Sequence, residues 1–182
     1  WGYSGYGKPP MYGDFEAQRH WMEITVNLPI REWYVQSRDN DLQYWGLDYP
    51  PLTAYHMMFN GIVAQHVNSS MVALKSSHGL EDPGVKLFMR VTVLALDMLL
   101  FLPAVAAYFV LQQSKDDAEN NILGFVIVLA VYPGLILIDN GHFQFNNVSL
   151  GLFVIASLAI AQKRDFIGAF LFSCALNYKQ ME

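Results

Sequence analysis

A dense group of ionisable side chains stands near the start of this chain, in Y-G-D-F-E-A-Q-R-H-W-M-E-I-T, Tyr12 to Thr25. Asp14, Glu16, Arg19, His20 and Glu23 fall within ten positions, a mixture suited to moving a proton or holding a charged substrate. A solvated helix face would show the same pattern. Glu16–His20 and Arg19–Glu23 stand at i, i+4, where opposite charges pair. Asp14 directly follows Gly13 and suits an N-cap, a role that spacing alone ranks ahead of catalysis. Glu16 is a poor chemical partner for it, because i and i+2 face different ways on a helix.

Other motifs offer less. G-Y-S-G-Y-G-K (Gly2 to Lys8) has the spacing of a phosphate-binding loop, but Pro9 supplies neither hydroxyl nor N–H and no strand precedes it. Asp39-Asn40-Asp41 resembles a metal-nucleotide D-x-D, yet in a polar loop it reads as a turn. His142 is followed by Gln144, Asn146 and Asn147 with no second ligand at metal spacing. That loop either binds sugar hydroxyls or caps two helices. Asp97 interrupts an apolar run, where an ionisable group marks function or a pairing with another helix; the structural role is favoured. Cys174 stands alone, so neither a disulfide framework nor a cysteine metal site is expected.

The elements that must position these residues fall into two parts. The 53% hydrophobic content hides a split between an aromatic, Gly- and Pro-rich region, 1–84, and a strongly apolar region, 85–182. The net charge of −5 and lack of a basic cluster argue against nucleic acid. The first region holds two amphipathic helices. One carries Ala17, Trp21, Ile24 and Leu28 and closes at Pro29; the other starts at Pro50-Pro51 and carries Leu52, Tyr55, Met58, Phe59, Ile62, Val63 and His66 on one face. Both are expected to lie in a membrane interface, with a packed domain as the alternative. The second region is read as four transmembrane helices, with apolar cores at about 91–111, 122–138, 148–161 and 166–178. Lys115 and Lys163-Arg164 place their loops on the cytosolic side. Residues 1–84 and the 139–147 loop then lie on the opposite, lumenal or external side, with the sequon Asn68-Ser69-Ser70; Asn147-Val148-Ser149 sits too near the membrane to serve. Beginning on Trp1 and ending on Met181-Glu182, the chain is read as a fragment.

Four blocks carry a more specific signal: M-Y-G-D-F-E-A-Q-R-H-W-M-E-I-T (from Met11), L-Q-Y-W-G-L-D-Y-P-P-L-T-A-Y-H (from Leu42), Y-P-G-L-I-L-I-D-N-G-H-F-Q-F-N (from Tyr132) and A-L-N-Y-K-Q-M-E (from Ala175). Together they resemble the endoplasmic-reticulum dolichyl-phosphate-glucose glucosyltransferases over essentially the whole chain. The E-A-Q-R-H-W run points to the branch that adds the first glucose to the lipid-linked oligosaccharide; the branch adding the second is the alternative. The resemblance implies an all-α, multi-pass membrane enzyme of the GT-C class whose first long lumenal loop carries the catalytic carboxylate, here Asp14. It implies no metal or cofactor, with dolichyl-phosphate-glucose as donor and the dolichyl-pyrophosphate oligosaccharide as acceptor. An activated phosphate leaving group needs no proton, so one carboxylate suffices where glycoside hydrolases use two.

Around Asp14, Arg19 and His20 are carried as residues that neutralise phosphate or hold the base. His142 and Gln144 are carried for sugar hydroxyls, and Asp48 as a substrate contact and, with Asp139, a fallback base. Trp21, Tyr44, Trp45 and Tyr49 either stack on sugars or anchor the loop in lipid. From a different class, a transporter or scaffold subunit would use Asp97 and the 139–147 loop as a polar path; it should concentrate its charges inside the spans, which this sequence does not do.

Overall fold

A computed structural model of the chain describes residues 2–111, 124–126 and 133–180. Every regular element among the described residues is helical. Contacts divide the chain into two compact units, Trp1–Thr92 with Gly141–Gln144, and Val93–Asn140 with Phe145–Glu182.

The first unit is built on α1 (Asp14–Asn27). Gly13 is its N-cap, so Asp14 is the first helical residue, and its side chain makes no capping bond. This corrects the capping expectation. The helix ends as Leu28 turns extended ahead of Pro29, as the residue before a proline prefers. Every residue from Phe15 to Thr25 is buried, the charged ones included. α1 is therefore the core helix of this unit and not an amphipathic helix in a lipid interface. Trp21 donates to Trp45 O at 2.9 Å and Trp33 to Leu28 O at 3.0 Å. These bonds satisfy two buried indoles.

α2 (Pro51–Val67) starts with Pro51 in its first turn, where a missing N–H costs nothing. It packs on α1 through Ala54, Met57, Asn60, Gly61 and Ala64. Its opposite face leaves Tyr55, Phe59, Ile62, Val63 and Val67 exposed. Gly61 sets the approach of the two helices. A Cβ there would lie 2.5 Å from Val26 Cγ2 and 2.8 Å from Met22 O. Gly61→Ala is therefore expected to destabilise this unit by about 1–3 kcal/mol through overpacking, measurable as a lowered thermal midpoint.

A 3-10 turn (Ser69–Val72) buries Met71 and Val72 against the core. The glycine loop before α1 folds on itself: a Cβ on Gly13 (φ +77°) would collide with Ser4 O. Gly7 N donates to Glu81 Oε1 at 2.9 Å, so an amide of the loop is satisfied by a carboxylate of the same unit. In Asp39-Asn40-Asp41, Asn40 is buried and donates to Glu32 O and Trp33 O, while Asp39 pairs with Lys75 at the surface. That arrangement is a turn.

α3 (Pro83–Leu96) continues through a π-helical stretch (Asp97–Phe101) into α4 (Leu102–Leu111). Pro103 has no N–H to donate, and its ring crowds the carbonyl one turn earlier; the wider π turn just before it relieves that crowding. The continuous helix Pro83–Leu111 has 29 residues and is long and apolar enough to cross a membrane. α5 (Asn146–Ala161) and α6 (Asp165–Tyr178) have 16 and 14 residues. Both are apolar but shorter than the roughly 20 residues of a full span. They form an antiparallel pair joined by a short loop with Lys163 at φ +60°. Residues 122–123 and 127–132 of the expected span at 122–138 lie outside the described residues.

A turn (Pro133–Leu135) leads into a longer π-helical stretch (Ile136–Phe143), of which the part up to Asn140 belongs to the second unit. Asp139, 1% exposed, accepts from Asn147 N and from Asn146 Nδ2, both at 2.7 Å. It thus serves the first turn of α5 and is no longer a candidate base. Asp97 accepts from Asn147 Nδ2 at 2.8 Å and Asn140 Nδ2 at 2.9 Å. Its partners are neighbouring helical segments of this same chain.

Candidate active site

Asp14 owes its position to Gly13, whose left-handed backbone turns the chain into α1 with the carboxylate on the first residue. Phe15, the next residue, is 1% exposed and stacks on Tyr3 at 4.3 Å. Phe143 meets Phe15 edge-on at 5.1 Å. Phe143 has φ +84°, a rare backbone state for a bulky side chain and one that clusters at functional sites. With Phe143 anchored, its neighbours His142 and Gln144 both reach Asp14. His142 Nε2 lies 2.8 Å and Gln144 Nε2 2.7 Å from the same oxygen, Oδ2. Facing a carboxylate, both nitrogens must donate. Asp14 Oδ1 has no hydrogen-bond partner among the described residues. The side chains of Asp14 and His142 are 32% and 40% exposed, so the free oxygen belongs to a solvent-accessible group. This arrangement can accept a proton from an approaching hydroxyl with the carboxylate plane already fixed.

Asp48 lies at the surface nearby. Partial desolvation, with the charge of Asp14 as a smaller contribution, holds its carboxyl above the usual range. Trp45 (φ +50°) donates from Nε1 to Met11 O. It clamps the segment leading into α1 and is positioned as a structural residue.

Arg19 and His20 do not join Asp14. Arg19, fully buried, donates to Glu16 at 2.8 and 2.6 Å, to Glu23 at 2.7 Å, to Ser77 Oγ at 2.6 Å and to Met71 O at 3.2 Å. His20 pairs with Glu23 at 3.3 Å, not with Glu16. Both are committed to a buried network and are unavailable to a substrate phosphate. Tyr44 donates to Glu16 at 2.8 Å and stacks on His78 at 4.2 Å. Trp21 is 4% exposed. Neither is free to stack on a sugar.

Sequence reasoning missed Ser77 and His78, which complete this network from a loop whose Ser77 stands 58 residues beyond Arg19. No periodicity links them to it.

His20, Glu23 and His78 form the one set among the described residues whose ligand atoms lie within 4.8 Å of one another. They are the residues able to hold a metal. However, Glu23 already accepts from Arg19, Ser77 Oγ and Lys75 N, and the guanidinium at 2.7 Å opposes a dication.

Burial alone would raise the Glu23 carboxyl, but the His20 hydrogen bond and the Arg19 charge outweigh it and hold it at about 2. A depressed carboxyl contributes stability above its unfolded value and loses it as pH falls through the folded one. Acid titration followed by Trp fluorescence should therefore show a loss on the order of 3 kcal/mol between about pH 4.3 and pH 2. His56, pushed down by burial to about 4, is protonated first in the unfolded chain, so a separate loss begins below about pH 6.5.

The model of the family described as "ALG6, ALG8 glycosyltransferase family" matches residues 6–182. The chain belongs to that family. Among its relatives, the rat protein named dolichyl pyrophosphate Man9GlcNAc2 alpha-1,3-glucosyltransferase is 53% identical over 180 residues, covering 99% of this chain and 35% of the relative. The Drosophila melanogaster protein named as the probable form of the same enzyme is 52% identical over 183 residues, 99% of this chain and 38% of its own. The Arabidopsis thaliana counterpart, also named as probable, is 50% identical over 182 residues, 98% and 34%. The chain thus spans about a third of the length of these family members. Family membership agrees with the resemblance carried by the four sequence blocks.

Proposed function

We propose that this chain is the part of a multi-pass endoplasmic-reticulum GT-C enzyme that carries its catalytic carboxylate. The reaction is transfer of glucose from dolichyl-phosphate-glucose to the terminal mannose of the dolichyl-pyrophosphate Man9GlcNAc2 acceptor, in α-1,3 linkage. Residues 1–84 form the lumenal loop and residues 85–182 the start of the membrane region. The observation that carries this reading is the Asp14 carboxylate, fixed at Oδ2 by His142 and Gln144 with Oδ1 unshared, in a chain half identical to glucosyltransferases of that name.

In the proposed mechanism, the acceptor's 3-hydroxyl attacks the anomeric carbon of the donor as Oδ1 takes the hydroxyl proton. The bond to dolichyl phosphate breaks, and the phosphate leaves with the electron pair. Much of the effect of Asp14 comes from orientation. His142 and Gln144 supply that orientation as positioning residues. A transporter path through Asp97 is disfavoured, because its two oxygens are held by Asn140 and Asn147.

The test is the full-length protein in lipid vesicles with donor and acceptor. Glucose appearing on the oligosaccharide is the expected result. Flux of donor across the bilayer without transfer would support the transporter instead, and transfer only to the monoglucosylated acceptor would assign the second-glucose branch.

A further inference from the structure

We propose that Asn68 is itself a site of N-glycosylation, and that Asn147, the other sequon asparagine, is not. The inference rests on the lumenal placement of residues 1–84 proposed above. Asn68-Ser69-Ser70 has the required hydroxyl two residues on and no proline between. Residues 65–70 are all exposed.

Local geometry presents the acceptor atom. α2 ends at Val67, and Asn68 is extended, at φ −160° and ψ 106°. Its Oδ1 accepts from Ser70 N at 3.0 Å and from Ser70 Oγ at 2.7 Å. The carbonyl end of the amide is thereby turned back onto the chain, and Nδ2, with no partner among the described residues, is left to solvent. Met71 and Val72, 3% and 2% exposed, fix the base of the turn in the core. The stretch 73–82 separates it from the start of α3.

Asn147 differs at each point. It is 4% exposed, its Nδ2 donates to Asp97 Oδ1 at 2.8 Å, and its sequon lies within the first turns of α5. A transferase would have to unwind the helix and expose Asp97 to reach it.

The step takes its sugar from a lipid-linked oligosaccharide diphosphate. A bond forms between Asn68 Nδ2 and the anomeric carbon while the carbon–oxygen bond to the diphosphate breaks. The lipid diphosphate leaves with that electron pair, and the Nδ2 proton passes to a base of the transferase.

The experiment expresses the full-length protein in eukaryotic cells and compares it with Asn68→Gln, Ser70→Thr and Asn147→Gln. Ser69→Cys, in a background where Cys174 and every other cysteine of the full-length protein are replaced, reports the side of the membrane by labelling sealed and permeabilised microsomes with an impermeant maleimide. Expected is a discrete mobility step, removed by an endoglycosidase, that is due to Asn68. That step should be absent in Asn68→Gln, retained in Ser70→Thr and unchanged in Asn147→Gln. No step, with the thiol labelled only after permeabilisation, overturns the glycosylation proposal and leaves the lumenal placement standing. Labelling in sealed microsomes overturns both. A step lost only in Asn147→Gln overturns the assignment.

Discussion

Asp14→Asn in the full-length protein is expected to reduce glucose transfer by about 10²- to 10⁴-fold, the usual range for losing a general base. The fold should survive. The change is isosteric, and Asp14 makes no helix cap whose loss would fray α1. The asparagine amide can still face His142 and Gln144 through its oxygen, so the site keeps its shape and loses the atom that takes the proton. Donor binding should change little, because the proton moves only as the acceptor attacks. The measurement is initial transfer rate beside thermal midpoint. A fall in rate at an unchanged midpoint separates chemistry from folding, whereas undiminished transfer would return the search for the base to Asp48 or to the family's remaining sequence.

The second large effect is on folding. Arg19→Met should destabilise the first unit by about 3–5 kcal/mol, the cost of leaving buried carboxylates without their cation. Glu16 and Glu23 are 1% and 0% exposed, and with Arg19 absent Glu16 has no cationic partner while Glu23 keeps only His20 and His78. Arg19→Lys should rescue only part of this loss, since an ammonium cannot replace a planar fork that bonds both carboxylates, Ser77 and a backbone carbonyl together. The surface pair Lys75–Asp39, with side chains 50% and 46% exposed, gives the contrast: Lys75→Met should leave stability nearly unchanged. Chemical denaturation of the purified protein, followed by Trp fluorescence, reads both.

These two residues also show how far the sequence could be read. Local signals located the helices. Pro29 ends α1, Pro50-Pro51 opens α2, and the polar run at 162–165 divides α5 from α6. Arg19–Glu23 was legible as an i, i+4 pair, but the same spacing serves an exposed face and a buried one. What decides burial is Ser77, His78 and Met71 O, which arrive from a distant loop and leave no trace in the pattern of α1. For that reason the interfacial placement of α1 was wrong, while α2 does keep an exposed apolar face. Asp14 shows the complementary limit. Its neighbours in sequence suggested a cap, whereas its partners, His142 and Gln144, lie more than 120 residues away. Only the resemblance singled it out, and only the fold shows which oxygen is held and which is not. Asp97 raised a fair question from composition alone, and the answer, a pair of asparagine amides, needed helical segments brought together.

The most direct test of the central claim, one carboxylate acting in a single displacement, is the anomeric configuration of the product. Dolichyl-phosphate-glucose carries a β-linked sugar, so one displacement with Asp14 as base predicts inversion. The NMR signal of the new anomeric proton should show an α linkage to the mannose 3-oxygen, with no glucose trapped on the protein at any time in the turnover. A β-linked product, or a glucosyl ester on Asp14, would contradict the account.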